Sequence, residues 1–193
     1  MKDHFNSSNS QIKELHFQIA VYEDEAAYKK LFFLLFPSLQ NFAFSIIKQR
    51  QIAEEIASDV LISVWAQRQA LLKIEDLKMY LYVSARNAAL RKFRHEHKIK
   101  KISLDELHVE FISDYCSPSD TLYGSELRKE IYQALQQLPP RCKIIYKLAK
   151  EDKIPYKDIA SLLGISIKTV DSQLVIAIKK ITIAIRSFYR KEM

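Results

Sequence analysis

Apolar side chains recur every three to four positions along most of this chain, the period of a helix with one buried face. Tyr28, Leu31, Phe32, Leu35, Leu39, Phe42 and Ile46 define a first helix within residues 21–49. Pro37 predicts a break or kink inside it, because proline removes a backbone donor and crowds the preceding turn. Ile56, Val60 and Val64 predict a second helix over about 52–69. Leu77, Tyr80, Leu81, Ser84 and Ala88 predict a third over about 76–95, where Ser84, Ala85, Ala88 and Ala89 are small enough for another helix to come close. Residues 1–11 predict disorder, and 1–20 reads as an N-terminal tail. Residues 102–125 hold no sustained period and contain Cys-Ser-Pro-Ser-Asp, which predicts a linker. Helix periodicity resumes from Ser125 or Glu126 to Gln137, stops at Leu138-Pro139-Pro140, and continues over about 141–150.

The stretch 156–180 predicts two helices joined by a tight turn. Ile159, Ala160 and Leu163 share a face; Gly164 suits a left-handed turn; Ser166 suits an N-cap. Val170, Leu174 and Ala177 line the inner face of a final helix running to about Tyr189. A helix-turn-helix of this kind lays its second helix in the DNA major groove. Lys168, Thr169, Ser172 and Gln173 are then the candidate base readers.

Composition fits this reading. The 193 residues include only 2 Gly and 5 Pro with 48% apolar residues, which predicts an all-α protein. It divides into two small helical domains, 21–97 and 125–190, joined by a linker over 98–124. The net charge of +7 is unevenly placed: residues 1–85 balance at −1, 86–101 at +6, 102–125 at −5 and 126–193 at +7. Two basic blocks flanking an acidic connector are the electrostatic footprint of a nucleic-acid binder. Cys116 and Cys142 form no metal-ligand spacing, the five histidines show no ligand pattern, and no glycine-rich phosphate loop or nucleophile motif occurs. No cofactor, metal or enzymatic activity is expected. The polar N-terminus holds no signal-peptide core, and the apolar run Leu31–Phe36 is too short to span a bilayer. The expected location is the cytoplasm.

Four motifs, in order, resemble the sigma-70 family of the small extracytoplasmic-function (ECF) type. Ala53-Glu54-Glu55-Ile56-Ala57-Ser58-Asp59-Val60-Leu61-Ile62-Ser63-Val64-Trp65 resembles the conserved helix of its region 2. Tyr80-Leu81-Tyr82-Val83-Ser84-Ala85-Arg86-Asn87 resembles the helix that meets melted promoter DNA. Leu138-Pro139-Pro140-Arg141 resembles the turn before the second helix of region 4, and Tyr156-Lys157-Asp158-Ile159-Ala160 through Lys168-Thr169-Val170 resembles the region 4 helix-turn-helix.

The resemblance implies an initiation subunit that recruits core RNA polymerase to promoters and helps open the DNA. It assigns Glu54, Glu55, Ser58 and Asp59 to a face that docks on the polymerase, with Leu61 or Trp65 as apolar anchor; Ser58 stands where the family often has glutamine. Trp65 is equally suited to the core. Tyr80, Tyr82 and Phe93 offer ring faces for unstacked bases, with core packing the alternative for both tyrosines. Arg86, Arg91, Lys92 and Arg94 offer phosphate contacts, Asn87 a base-edge contact, and residues 69–76 part of a base pocket. In region 4, Asp171 can accept from a cytosine amino group and Gln173 can pair with adenine. Val175 and Ile176 touch either a thymine methyl or protein. Phosphate clamping falls to Arg141, Lys143, Lys157, Lys168, Lys179 and Lys180. The resemblance also implies an anti-sigma partner, often membrane-bound. The apolar positions Ile181, Ile183, Ile185, Phe188 and Tyr189 either pack within the last domain or meet that partner. Two other readings remain: a dimeric helix-turn-helix regulator of the response-regulator output type, and a helical scaffold with incidental basic faces.

Overall fold

The computed structural model describes residues 3–97 and 122–191. Every regular element in them is helical, and they fall into two compact units, Met1–Ile102 and Ser103–Met193. Most of the linker expected over 98–124 lies outside the described residues; its last positions already belong to the next helix, which opens at Leu122.

The N-terminal unit holds α1 (Asp3–Tyr22), α2 (Glu25–Ile47), α3 (Arg50–Ala66), a short 3-10 turn (Ala70–Lys73) and α4 (Leu77–His97). The tail expected over 1–20 is therefore corrected: it is helix α1. Ile12, Leu15, Ile19 and Ala20 recur at helical spacing and are buried, with α1 packed on α2. Burying three branched side chains contributes about 1.5–3 kcal/mol each toward the cost of ordering the segment, the rest of which falls to its helical hydrogen bonds and its packing on α2. The chain then turns at Glu23, whose φ of 53° is left-handed, and Asp24 caps α2 by accepting from the N–H groups of Ala26 at 2.8 Å and Ala27 at 3.1 Å.

Helix α2 runs through Pro37 without a break. Proline deprives the Phe33 carbonyl of its helical partner, but both residues lie on the exposed side, where the carbonyl is open to solvent. At 23 residues α2 is long and apolar enough to cross a membrane, yet 44% of its apolar window is buried inside the unit, against α1, α3 and α4. On α4 the buried face is Leu77, Leu81, Tyr82, Ala85 and Ala89. It is rotated from the expected one, which leaves Tyr80, Ser84 and Ala88 half-buried at its edge.

The C-terminal unit holds α5 (Leu122–Gln136), α6 (Pro140–Tyr146) running into a π-helical turn (Lys147–Glu151), α7 (Tyr156–Leu163) and α8 (Ile167–Lys191). Leu135, Leu138, Cys142 and Ala177 form one cluster of its core, with Ile131, Tyr132, Tyr146 and Ile181 packed against it. The π turn swings Lys147 inward, where its Nζ lies 2.9 Å from both carboxylate oxygens of Asp152. Beyond the turn, Lys153 takes a left-handed φ of 52°, and the Ile154 N–H donates to the Leu148 carbonyl at 2.8 Å. That bond sets where α7 begins.

Candidate nucleic-acid interface

In the N-terminal unit the candidate residues lie on α3 and α4, which pack side by side and leave a groove of about 690 Å³ between them. Asp59, Ser63, Asn87, Arg91 and Lys92 line it over an apolar floor of Ile56, Val60 and Ala88. Asn87 is exposed there, with both amide donor and acceptor able to reach a ligand. Arg91 and Arg94 are exposed, while Arg86 is half-buried. Lys92 is committed in part: its Nζ lies 2.7 Å from the Glu55 carboxylate, so one expected phosphate contact and one expected polymerase contact are paired with each other.

Two candidates are corrected by burial. Tyr82 is fully buried, its ring 5.2 Å from that of Phe42, and offers no face to a base. Tyr80 is half-buried and stays available. Leu61 is also fully buried, so it cannot anchor a partner. The exposed apolar residue of that helix is its neighbour Ile62, at 54% exposure. Glu55, Asp59 and Ile62 follow the i, i+4, i+7 spacing and share one face of α3. One residue along a helix is a rotation of about 100°, which is why Leu61 turns inward and Ile62 outward, and Trp65 stays as the other expected anchor. Glu54 is exposed and Ser58 half-buried beside that face. Trp65 serves the core and the surface together: its ring lies 5.2 Å from Tyr28, and the Arg68 guanidinium sits 4.9 Å above it.

The segment between α3 and α4 carries the 3-10 turn, with Leu71 plugged into the core and Leu72 54% exposed. The Leu71 carbonyl accepts from the Ile74 N–H at 2.8 Å and lies 3.0 Å from His16 Nε2. Since a carbonyl only accepts, His16 is the donor. Burial holds the His16 pKa below the usual histidine value, with the bond to Leu71 acting in the opposite sense. At the start of the segment, Arg68 and Gln69 both donate to the Glu23 carboxylate, at 2.8 and 3.4 Å. The bond from Arg68 is the main cause of a lowered Glu23 pKa.

In the C-terminal unit the helix-turn-helix forms as its residues require. Gly164 adopts φ 67°, ψ 39° at the end of α7, a conformation available to glycine at little cost. Ser166 Oγ accepts from the Thr169 N–H at 3.0 Å and caps α8. Leu162, rather than Leu163, fills the interior with Ile159 and Ala160. On α8, Val170, Leu174 and Ala177 face inward as expected. Lys168, Asp171, Ser172, Val175, Ile176 and Lys179 are exposed on its first half. Thr169 is half-buried, its hydroxyl 2.8 Å from Ser166 Oγ. Ser172 donates to the Thr169 carbonyl at 3.0 Å, which leaves its oxygen as an acceptor toward a base. Gln173 is half-buried, and its backbone carbonyl accepts from the Cys142 thiol at 3.0 Å.

The basic groups of this unit divide in two. Lys157, Lys168 and Lys179 are exposed. Lys143 is half-buried, donates to Gln136 at 3.3 Å, and burial lowers its pKa. Arg141 is half-buried, whereas Lys180 is exposed and its Nζ donates to the Gln137 carbonyl at 3.4 Å. Of the apolar positions late in α8, Phe188 is buried and Ile181 joins the core, while Ile183 and Tyr189 are exposed. Among the described residues no group of His, Cys, Asp and Glu side chains stands ready to hold a metal ion.

Residues 34–99 match Sigma-70 region 2, and residues 128–181 match Sigma-70, region 4. Together the two matches take in more than half of the chain. Among solved structures, the chain is similar to the sigma factor RpoE of Bartonella quintana, crystallised in complex with the anti-sigma factor NepR. The likeness has a TM-score of 0.51 at 22% identity and covers 82% of this chain and 96% of that one. At that identity it speaks for the fold alone. No curated protein matches the chain.

Proposed function

The chain belongs to the sigma-70 family, and we propose that it acts within it as an ECF-type sigma factor, binding core RNA polymerase, directing it to particular promoters and helping to melt them. One observation carries this reading: the N-terminal unit has its own groove, lined by Asn87 and Arg91 of α4, both exposed, and by Asp59 and Ser63 of α3. A dimeric regulator of the response-regulator type needs only a duplex-binding helix-turn-helix and has no use for that groove. In the proposed mechanism, α3 docks on the polymerase through Glu54, Glu55, Ser58, Asp59, Ile62 and the accessible edge of Trp65. Opened promoter strand then lies along α4, with Asn87 reading a base edge, Tyr80 offering a ring, and Arg86, Arg91, Lys92 and Arg94 neutralising phosphates. Helix α8 enters the major groove of the distal element. Lys168, Ser172 and Gln173 read bases there with Asp171, Val175 and Ile176, and Thr169 holds the start of the helix. Lys157 and Lys179 clamp phosphates, with Arg141, Lys143 and Lys180 at the margin. The factor works in the cytoplasm and catalyses no bond chemistry itself. The RpoE neighbour was solved with an anti-sigma factor, and this chain too is proposed to be held by one.

The two modes of DNA binding are expected to differ in kind. Asn87→Ala changes base preference at one upstream-element position in a randomised promoter library. Lys168→Ala with Lys179→Ala weakens duplex binding to all sequences alike and flattens its dependence on log salt by about 0.9 for each phosphate no longer neutralised. Unchanged preference in Asn87→Ala removes that residue as a reader.

A further inference from the structure

Helix α1 lies outside the two matched regions, and yet the polar ties that it and its closing turn make beyond the core fall on one segment. His16 donates to the Leu71 carbonyl, and Glu23 accepts from Arg68 and Gln69, so the segment between α3 and α4 is held at its start and at its middle by residues of α1 and the turn that follows it. Its far end is fixed by α4 itself, where the Asp76 carboxylate accepts from the Met79 N–H at 2.9 Å. Leu72, Lys73 and Glu75 remain exposed between these ties.

Glu23 occupies a left-handed conformation that a glycine or asparagine adopts more cheaply, yet the residue there has a carboxylate, and that carboxylate faces Arg68 and Gln69. Arg68 in turn lies over Trp65 and donates to the Trp65 carbonyl at 3.0 Å, which ties the brace to the end of α3.

We propose that α1 is a positioning element for promoter recognition, with His16 and Glu23 fixing the shape of the 67–76 segment so that its exposed residues meet one unstacked base in a single geometry. The inference rests on the reading of residues 69–76 within that segment as part of the base pocket. A loop free to move takes up several bases with similar affinity; a braced one pays no ordering entropy on capture and discriminates better. His16 and Glu23 are positioning residues and touch no DNA.

The test uses holoenzyme reconstituted with core polymerase and a promoter library randomised over the upstream element. A variant with the exposed Leu72, Lys73 and Glu75 each replaced by Ser, and the buried Leu71 kept, first identifies the position that the segment reads. At that position His16→Ala and Glu23→Gly are each expected to lower base preference by about tenfold, the effect of removing one or two hydrogen bonds. Glu23→Gly relieves the left-handed backbone, so its melting temperature is expected to hold or rise while its preference falls, an outcome that a purely structural role does not give. His16→Gln keeps a donor toward Leu71 and is expected to restore the preference. Preference retained in both His16→Ala and Glu23→Gly, or lost only in step with melting temperature, overturns the brace. If the replaced segment itself leaves every position unchanged, the base-pocket reading fails and the brace falls with it.

Discussion

Replacing Asp152 by alanine is expected to destabilise the C-terminal unit by about 3–5 kcal/mol, a large share of the total stability of a small domain. Lys147 is only 2% exposed and Asp152 only 5%, and the ammonium meets both carboxylate oxygens. Removing the acid leaves a cation in the interior with Glu151, at 3.9 Å and on the rim, as a poor substitute. Burial raises the Glu151 pKa while Lys147 lowers it, and a group so placed cannot replace the carboxylate held inside. Glu151→Ala, by contrast, is expected to cost less than about 1 kcal/mol, as partly exposed pairs do. Lys147→Met combined with Asp152→Leu is expected to recover most of the loss, because both the charges and their desolvation are removed together. Thermal unfolding followed by loss of helical signal reads all three. Since the pair closes the π turn that leads into α7, Asp152→Ala is also expected to weaken duplex binding without changing which sequence is preferred. Equal stability of Asp152→Ala and the parent would show that the pair is not closed in solution.

The second large effect concerns α3. Asp59→Lys combined with Ile62→Ala is expected to lower affinity for core polymerase by about a hundredfold, the range seen when a charged group and an apolar anchor are removed together from an interface. Both side chains are exposed, so the melting temperature should barely move. Asp59 is a cleaner site than Glu55, whose reversal would also repel Lys92. Leu61→Ala is the contrasting variant. It empties a fully buried site and is expected to cost about 2–5 kcal/mol of stability, with polymerase affinity of the folded fraction retained. If Leu61→Ala weakens the complex at full folding while the Asp59 and Ile62 pair does not, the docking face of α3 has been assigned to the wrong side.

The helix-turn-helix was legible at nearly every position, Leu163 apart, because its chemistry is local. Gly164 supplies a left-handed turn, Ser166 a cap, and Val170, Leu174 and Ala177 a stripe, and each does so within one turn of its neighbours. The long helices were legible from their period, but their rotation was not. Tyr82 and Leu61 each lie one position from a residue of similar character, and only packing against the rest of the unit decides which of two adjacent apolar side chains turns inward. Helix α1 was missed although Ile12, Leu15, Ile19 and Ala20 already mark a stripe, because the polar first ten residues set the expectation for the whole segment. Pro37 misled in the opposite sense, since a proline on the exposed side of a helix does not have to end it. The inward Lys147 carries no local signal at all. It follows from a π turn, which shifts one side chain off the regular helical face.

The central claim is tested most directly by adding this chain to core RNA polymerase and measuring run-off transcription together with permanganate reactivity of thymines on a library of genomic fragments. The account predicts transcripts from a discrete set of promoters, melted thymines near their start points, and loss of both when the chain is left out. Duplex binding by the chain alone, as a dimer, with no transcripts and no melted bases in the presence of core polymerase, would contradict it.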